Sequence, residues 1–224
     1  MIPACFASDL PDACRQVLLV TAPDGTSSTA TLRLLERHDL QSPWQQHGEK
    51  IPVTIGRKGL AWGLGEHRSS ASGGLRDKRE GDGCAPVGIF RLPLAFGEPP
   101  SAPASCKLPY LPITSTLLAI DDPQSRYYNQ IIDSAKVSAS RRDWTGAEVM
   151  HRMGGLYRWG IVVAHNPRNQ PGHGSCIFIH LWLKPGHPTS GCTAMSEENM
   201  LRVLKWLDPA KEPRLVQGVA SWPC

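Results

Sequence analysis

The sequence predicts a single mainly-β domain, a sandwich or barrel with a few short helices. Three observations lead there. The 224 residues hold 21 Gly and 20 Pro with no Gly-X-Y period, which favours many turns over long helices. Short β-branched and leucine-rich runs outnumber stretches with helical periodicity. Hydrophobic residues at 41% and charged residues at 20% are ordinary for a folded chain, and the length suffices for one substantial core.

Residues 1–14 are expected to form an N-terminal extension, and residues 15–224 the domain proper. Arg15 to Ala22 and Thr29 to Arg37 flank Pro23-Asp24-Gly25 and read as a hairpin. Lys50 to Ile55 is the next strand candidate, and the glycines at 59, 63 and 65 around Trp62 mark a loop with unusual backbone angles. Val87 to Leu92, Leu117 to Ile120, Ile161 to His165 and Ile177 to Leu183 complete the expected strands. Glu98 to Pro112 holds five prolines and is expected to be a long ordered loop. Two helices carry start signals. Thr145 and Glu148 have the spacing of a capping box, with Gly154-Gly155 as the stop; Ser196 followed by Glu197-Glu198 precedes an apolar face ending at Asp208-Pro209.

The net charge of +4 comes without a Lys/Arg stripe interleaved with aromatics, so nucleic acid is not an expected partner. No apolar run approaches the roughly eighteen residues that span a bilayer, and the first residues lack a basic and an apolar leader region. Any export signal is therefore expected to be absent from this sequence. Seven cysteines fit an oxidising compartment with one reactive thiol left over. A local Cys5–Cys14 disulfide is expected at the N-terminus, the alternative being that all seven are buried free thiols; pairing among Cys84, Cys106, Cys176 and Cys224 stays open.

The segment Ser175 to Ser196 carries the chemistry. Alternation along a strand puts Ile177, Ile179, Leu181 and Leu183 on one face and Cys176, Phe178, His180 and Trp182 on the other. Past the turn at Pro185-Gly186, Thr189-Ser190-Gly191-Cys192 lies just ahead of a helix start. A thiol attacks only as thiolate, so Cys192 needs a base, and His180 is the candidate. Gly191 leaves room for a carbonyl, and the amides of Gly191 and Cys192 are candidate oxyanion donors. The rival is zinc, since Cys176, His180, His187 and Cys192 run C-x3-H-x6-H-x4-C. That spacing lacks a C-x2-C pair, and four residues of strand separate Cys176 from His180 by roughly 13 Å. No metal and no cofactor are therefore expected.

These residues resemble the L,D-transpeptidase family, with its YkuD catalytic domain. His180 matches the family's base, Thr189 its leading Ser/Thr, Gly191 its glycine and Cys192 its nucleophile. Ala85-Pro86-Val87-Gly88-Ile89-Phe90 is similar to its T-P-x-G-x-F strand, and Lys78 to Gly83 resembles the K-x-E-G-D-G run of a proteobacterial branch, as do Gly56 to Gly63 and Tyr127-Tyr128-Asn129. The resemblance runs from about Arg15 to the C-terminus. It departs at Ser190, where the family carries His, and at Ala194, where many members carry Arg or Asn.

The resemblance implies a periplasmic or cell-wall enzyme, a monomer, acting on peptidoglycan stem peptides. Cys192 would form an acyl-enzyme that the amine of a second stem resolves as a crosslink. An L,D-carboxypeptidase or endopeptidase on the same site, or a non-catalytic wall-binding or zinc-stabilised module, are the alternatives. Papain-like wall hydrolases place Cys before His, the reverse of the order here. Glu80, Asp82, Arg57 and Lys78 sit in Gly-rich loops, where they are read either as binding the carboxylates and amine of a stem or as solvated charges. Thr189 and Ser190 flank the nucleophile as further substrate contacts. His165 ends a strand, as an orienting group or a structural histidine, and Trp182, with Trp62, is the candidate for stacking. His38, His47, His67 and His151 are assigned surface or packing roles.

Overall fold

The computed structural model describes residue 2, residues 4–68 and residues 74–220. A short helix α1 (Ala4–Ala7) precedes the hairpin of β1 (Gln16–Ala22) and β2 (Thr29–Glu36), antiparallel from Gln16 opposite Glu36 to Thr21 opposite Thr31. Its turn is set by Asp24, whose carboxylate accepts the amides of Thr26 and Ser27. Then come β3 (Gln45–Gln46), β4 (Ile51–Thr54), β5 (Leu60–Trp62), β6 (Ala85–Arg91), β7 (Ala95–Gly97) and β8 (Tyr110–Pro112). A separate antiparallel sheet is built by β9 (Leu117–Ile120), flanked by β10 (Gln130–Asp133) and β11 (Glu148–Val149). The chain closes with β12 (Trp159–Val162), β13 (Phe178–Leu181), β14 (Thr193–Met195), helix α2 (Glu197–Trp206) and β15 (Arg214–Val219).

The large mixed sheet runs β5-β6-β15-β1-β2-β4-β14-β13-β12-β7-β8. One apolar core collects side chains from strands along most of that path, including Val17, Leu32, Val87, Ile161, Ile179 and Val216, together with Met200, Val203 and Leu204 of α2. The mainly-β reading therefore holds, with a sheet that wraps its own core. A second cluster, of Phe96, Leu117, Ala119, Met150, Tyr157 and Phe178, fills the space between the small sheet and the outer face of β13. The alternation foreseen for β13 is what separates the two cores: Ile177, Ile179 and Leu181 enter the first, while Phe178, with Cys176 and Cys192 beside it, enters the second.

Ser196 caps α2 by accepting the Asn199 amide, as its spacing suggested. Four other expectations are corrected. No helix starts at Thr145, because its amide and hydroxyl both bond the Asp122 carboxylate, at 2.7 and 2.8 Å; Glu148 lies in β11 instead. Cys14 is unbridged, its buried thiol donating to the Gln16 carbonyl, so no Cys5–Cys14 disulfide forms. The expected loop from 98 to 112 ends as strand β8, parallel to β7. Leu183 is 64% exposed, since the strand stops at Leu181 before Leu183 can reach the core. Cys224 lies outside the described residues, and among those residues no helix is long and apolar enough to cross a membrane.

Candidate active site

Parallel pairing of β13 with β14 puts Ile179 opposite Thr193 and His180 opposite Ala194. Cys192 directly precedes β14 and so lies one strand over and two positions back from His180, on the same face. Two rises of about 3.3 Å and one strand spacing of about 4.8 Å set their Cα atoms roughly 8 Å apart, within reach of an imidazole and a thiol. Both side chains line one cavity of about 230 Å³.

Both side chains are held by backbone. The Cys192 Sγ accepts the Phe178 amide at 3.3 Å and lies 3.8 Å from the Cys176 carbonyl oxygen. The Nδ1 of His180 is 2.7 Å from the Leu181 carbonyl oxygen, which can only accept. The proton therefore sits on Nδ1, leaving the Nε2 lone pair as the base. Tyr157 packs edge-on against the imidazole, ring centroids 5.4 Å apart. Burial pushes the Cys192 thiol up to about 12 and lowers the pKa of His180. Both shifts favour the neutral forms, thiol and imidazole.

The loop that presents Cys192 is braced from three sides. Thr189 donates its amide to the Ile55 carbonyl and accepts the Arg57 amide, docking the loop beside β4. Its hydroxyl donates to the Cys192 carbonyl at 2.6 Å and accepts the Gly191 amide at 3.1 Å. That last bond removes the Gly191 N–H from the expected oxyanion hole, because the donor is already engaged. Gly191 has φ +154°, and a Cβ there would meet the Cys84 carbonyl oxygen at 2.9 Å, so only glycine fits. Ser190 is exposed and accepts the Arg57 guanidinium at 2.9 Å.

The other residues singled out from sequence divide by position. Trp182, Thr189 and Ser190 line the cavity with the Cys–His pair, and Arg57 stands at its edge through Ser190. Lys78 and Asp82 form an ion pair at 2.6 Å, only 4% and 9% exposed, and Asp82 also accepts the amides of Arg79 and Cys84. That pair shapes the segment leading to Cys84, whose carbonyl backs Gly191. Glu80 accepts the hydroxyls of Tyr128 and Ser175 at 2.5 and 2.6 Å, tying the same run to the start of β13. His165, 2% exposed, accepts the Leu64 amide on Nδ1 and meets the His173 carbonyl through Nε2. None of these four side chains lines the Cys192 cavity.

Sequence reasoning missed Glu148 and Tyr157. Both line the cavity, with the Tyr157 hydroxyl donating to the Glu148 carboxylate. Burial raises the Glu148 pKa, nearby Asp121 adds to it, and the Tyr157 bond opposes it. Glu148 was visible only as the partner of a cap that does not form. As for zinc, His187 is exposed and the Cys176 thiol bonds the Ile120 carbonyl at 3.4 Å; among the described residues no three His, Cys, Asp or Glu side chains converge.

Compared with known families, residues 44–216 match the model of the L,D-transpeptidase catalytic domain, YkuD. The chain belongs to the L,D-transpeptidase family. No curated protein and no solved structure gives a significant match. The matched span takes in the cavity shared by His180 of β13 and Cys192 before β14, together with Glu148 and Tyr157 of its wall.

Proposed function

We propose that this chain is an exported, monomeric cysteine L,D-transpeptidase whose catalytic unit begins at residue 15 and acts on peptidoglycan stem peptides in the periplasm or cell wall. The carrying observation is that an imidazole on β13, its Nε2 without a hydrogen bond among the described residues, and a thiol just ahead of the parallel strand β14 line one cavity. As the substrate carbonyl approaches, Nε2 of His180 takes the Cys192 proton and the sulfur adds to the carbon. Collapse of the tetrahedral adduct breaks the C–N bond, and the imidazolium returns its proton to the leaving amine. The thioester is then resolved by the amine of a second stem, whose proton goes to Nε2 as the sulfur leaves.

Starting from a neutral pair fits this order, since the proton moves only when a carbonyl is there to receive the sulfur. Arg57, held at Ser190, presents a guanidinium at the rim for a stem carboxylate, and Trp182 offers an apolar wall. Incubation with purified muropeptides or a carbapenem, followed by intact mass, tests the reading. An adduct on Cys192 that vanishes in Cys192→Ala and His180→Ala is expected, with crosslinked dimers among the muropeptide products. Shortened stems without dimers would make the enzyme a carboxypeptidase or endopeptidase, and an unmodified thiol would sink the proposal.

A further inference from the structure

The Cys192 cavity sets an apolar stretch of wall beside hydroxyls, two imidazoles and one carboxylate. Met153, Leu156, Trp182 and Leu183 line it, and Glu148 is the single Asp, Glu, Lys or Arg side chain that does. The carboxylate is fixed from below: Tyr157 donates to Oε1, and β11 holds Glu148 opposite Ala119 of β9. Its Oε2 accepts no hydrogen bond from the described residues, and no Lys or Arg among them pairs with it. A half-buried carboxylate without a counter-ion is costly, and nearby Asp121 adds to the cost. A cation brought by a ligand would relieve it.

An apolar stretch that shares a cavity with one unpaired carboxylate matches a short methylene chain ending in an ammonium, because the methylenes pack while the head makes a charge-assisted hydrogen bond. Resting on the stem-peptide reading above, we propose that Glu148 is a specificity-determining residue that receives the amine of a stem peptide, presented as the ammonium of an aminoalkyl side chain. His180 keeps its role as base, since its Nε2 is free. Glu148 sorts substrates by charge.

Binding separates this from catalysis. Cys192→Ala protein, which cannot turn over, is titrated calorimetrically with a stem tetrapeptide whose amine-bearing residue is lysine and with its Nε-acetylated form. The free ammonium is expected to bind roughly tenfold or more tightly, the range of a charged hydrogen bond. Adding Glu148→Gln, which keeps an acceptor for Tyr157, should shrink the preference to about twofold or less while the acetylated peptide binds as before. Equal affinity for the two peptides without the second substitution overturns the proposal and needs no further variant; so does a preference that survives Glu148→Gln. Carbapenem acylation of the protein with Cys192 intact keeps the two readings apart. An acyl-enzyme without ammonium preference overturns the Glu148 assignment alone, whereas no acyl-enzyme and no binding of either peptide overturns both.

Discussion

If the Cys192 thiol rests near a pKa of about 12, its alkylation should show no acidic titration. Burial sets that value; the Phe178 amide and Lys78 oppose it, and the Glu148 charge adds to it. At pH 8 such a thiol is thiolate in about one molecule in 10⁴, against about a quarter for an unperturbed cysteine. A more basic thiolate is also more nucleophilic, which recovers about one and a half of the roughly three and a half lost decades. The expected alkylation rate is thus about two orders of magnitude below that of free cysteine. Iodoacetamide labelling from pH 6 to 9, read peptide by peptide so that Cys192 is resolved from the other thiols, measures it. The rate should climb about tenfold per pH unit without levelling. A plateau with its midpoint below neutrality would refute the reasoning, because it would reveal a resting thiolate–imidazolium pair in a site whose burial disfavours both charges.

Gly191→Ala forces a side chain into a φ of +154° and against the Cys84 carbonyl at 2.9 Å. It should cost about 1–3 kcal/mol by thermal unfolding and, by shifting the adjacent thiol, about a hundredfold in acylation rate. Lys78→Met strands the buried Asp82 carboxylate; a loss of about 3–5 kcal/mol, or roughly 10 °C in melting temperature, is expected, and a change under about 2 °C would refute it. His165 is held neutral by burial, its pKa lowered to about 4 despite its bond to the His173 carbonyl. Below pH 6.5 the unfolded chain takes up a proton that the folded one refuses, so stability falls as pH drops towards 4, by about 3 kcal/mol from this group. Urea unfolding at pH 4.5 and 7 should show that slope, and His165→Asn should flatten it.

Elements fixed by neighbours in sequence were legible. The β1–β2 hairpin needed only Asp24 in its turn, and α2 only Ser196 at its start, both of which act within three residues. The alternation of β13 was legible too, because each face meets a different apolar cluster and leaves its mark at every second position. Cys14 was misjudged for the opposite reason. Spacing to Cys5 says nothing of depth, and the Cys14 thiol lies buried in the core, where it donates to the Gln16 carbonyl.

The Thr145–Glu148 segment shows where local reading fails at the site itself. A threonine three residues before a glutamate satisfies a capping box, yet the same hydroxyl and amide are satisfied by Asp122, 23 residues earlier. A carboxylate that accepts both groups at once outcompetes a cap that accepts one and must also nucleate a helix through the following Gly146. With the helix gone, Glu148 is free to pair β11 with β9, and that pairing sets its carboxylate beside Tyr157 in the Cys192 cavity. Cys192 and His180 could be paired from sequence because they lie only twelve positions apart in one segment. The charge that faces them arrives through a long-range contact, and no period or spacing announces it.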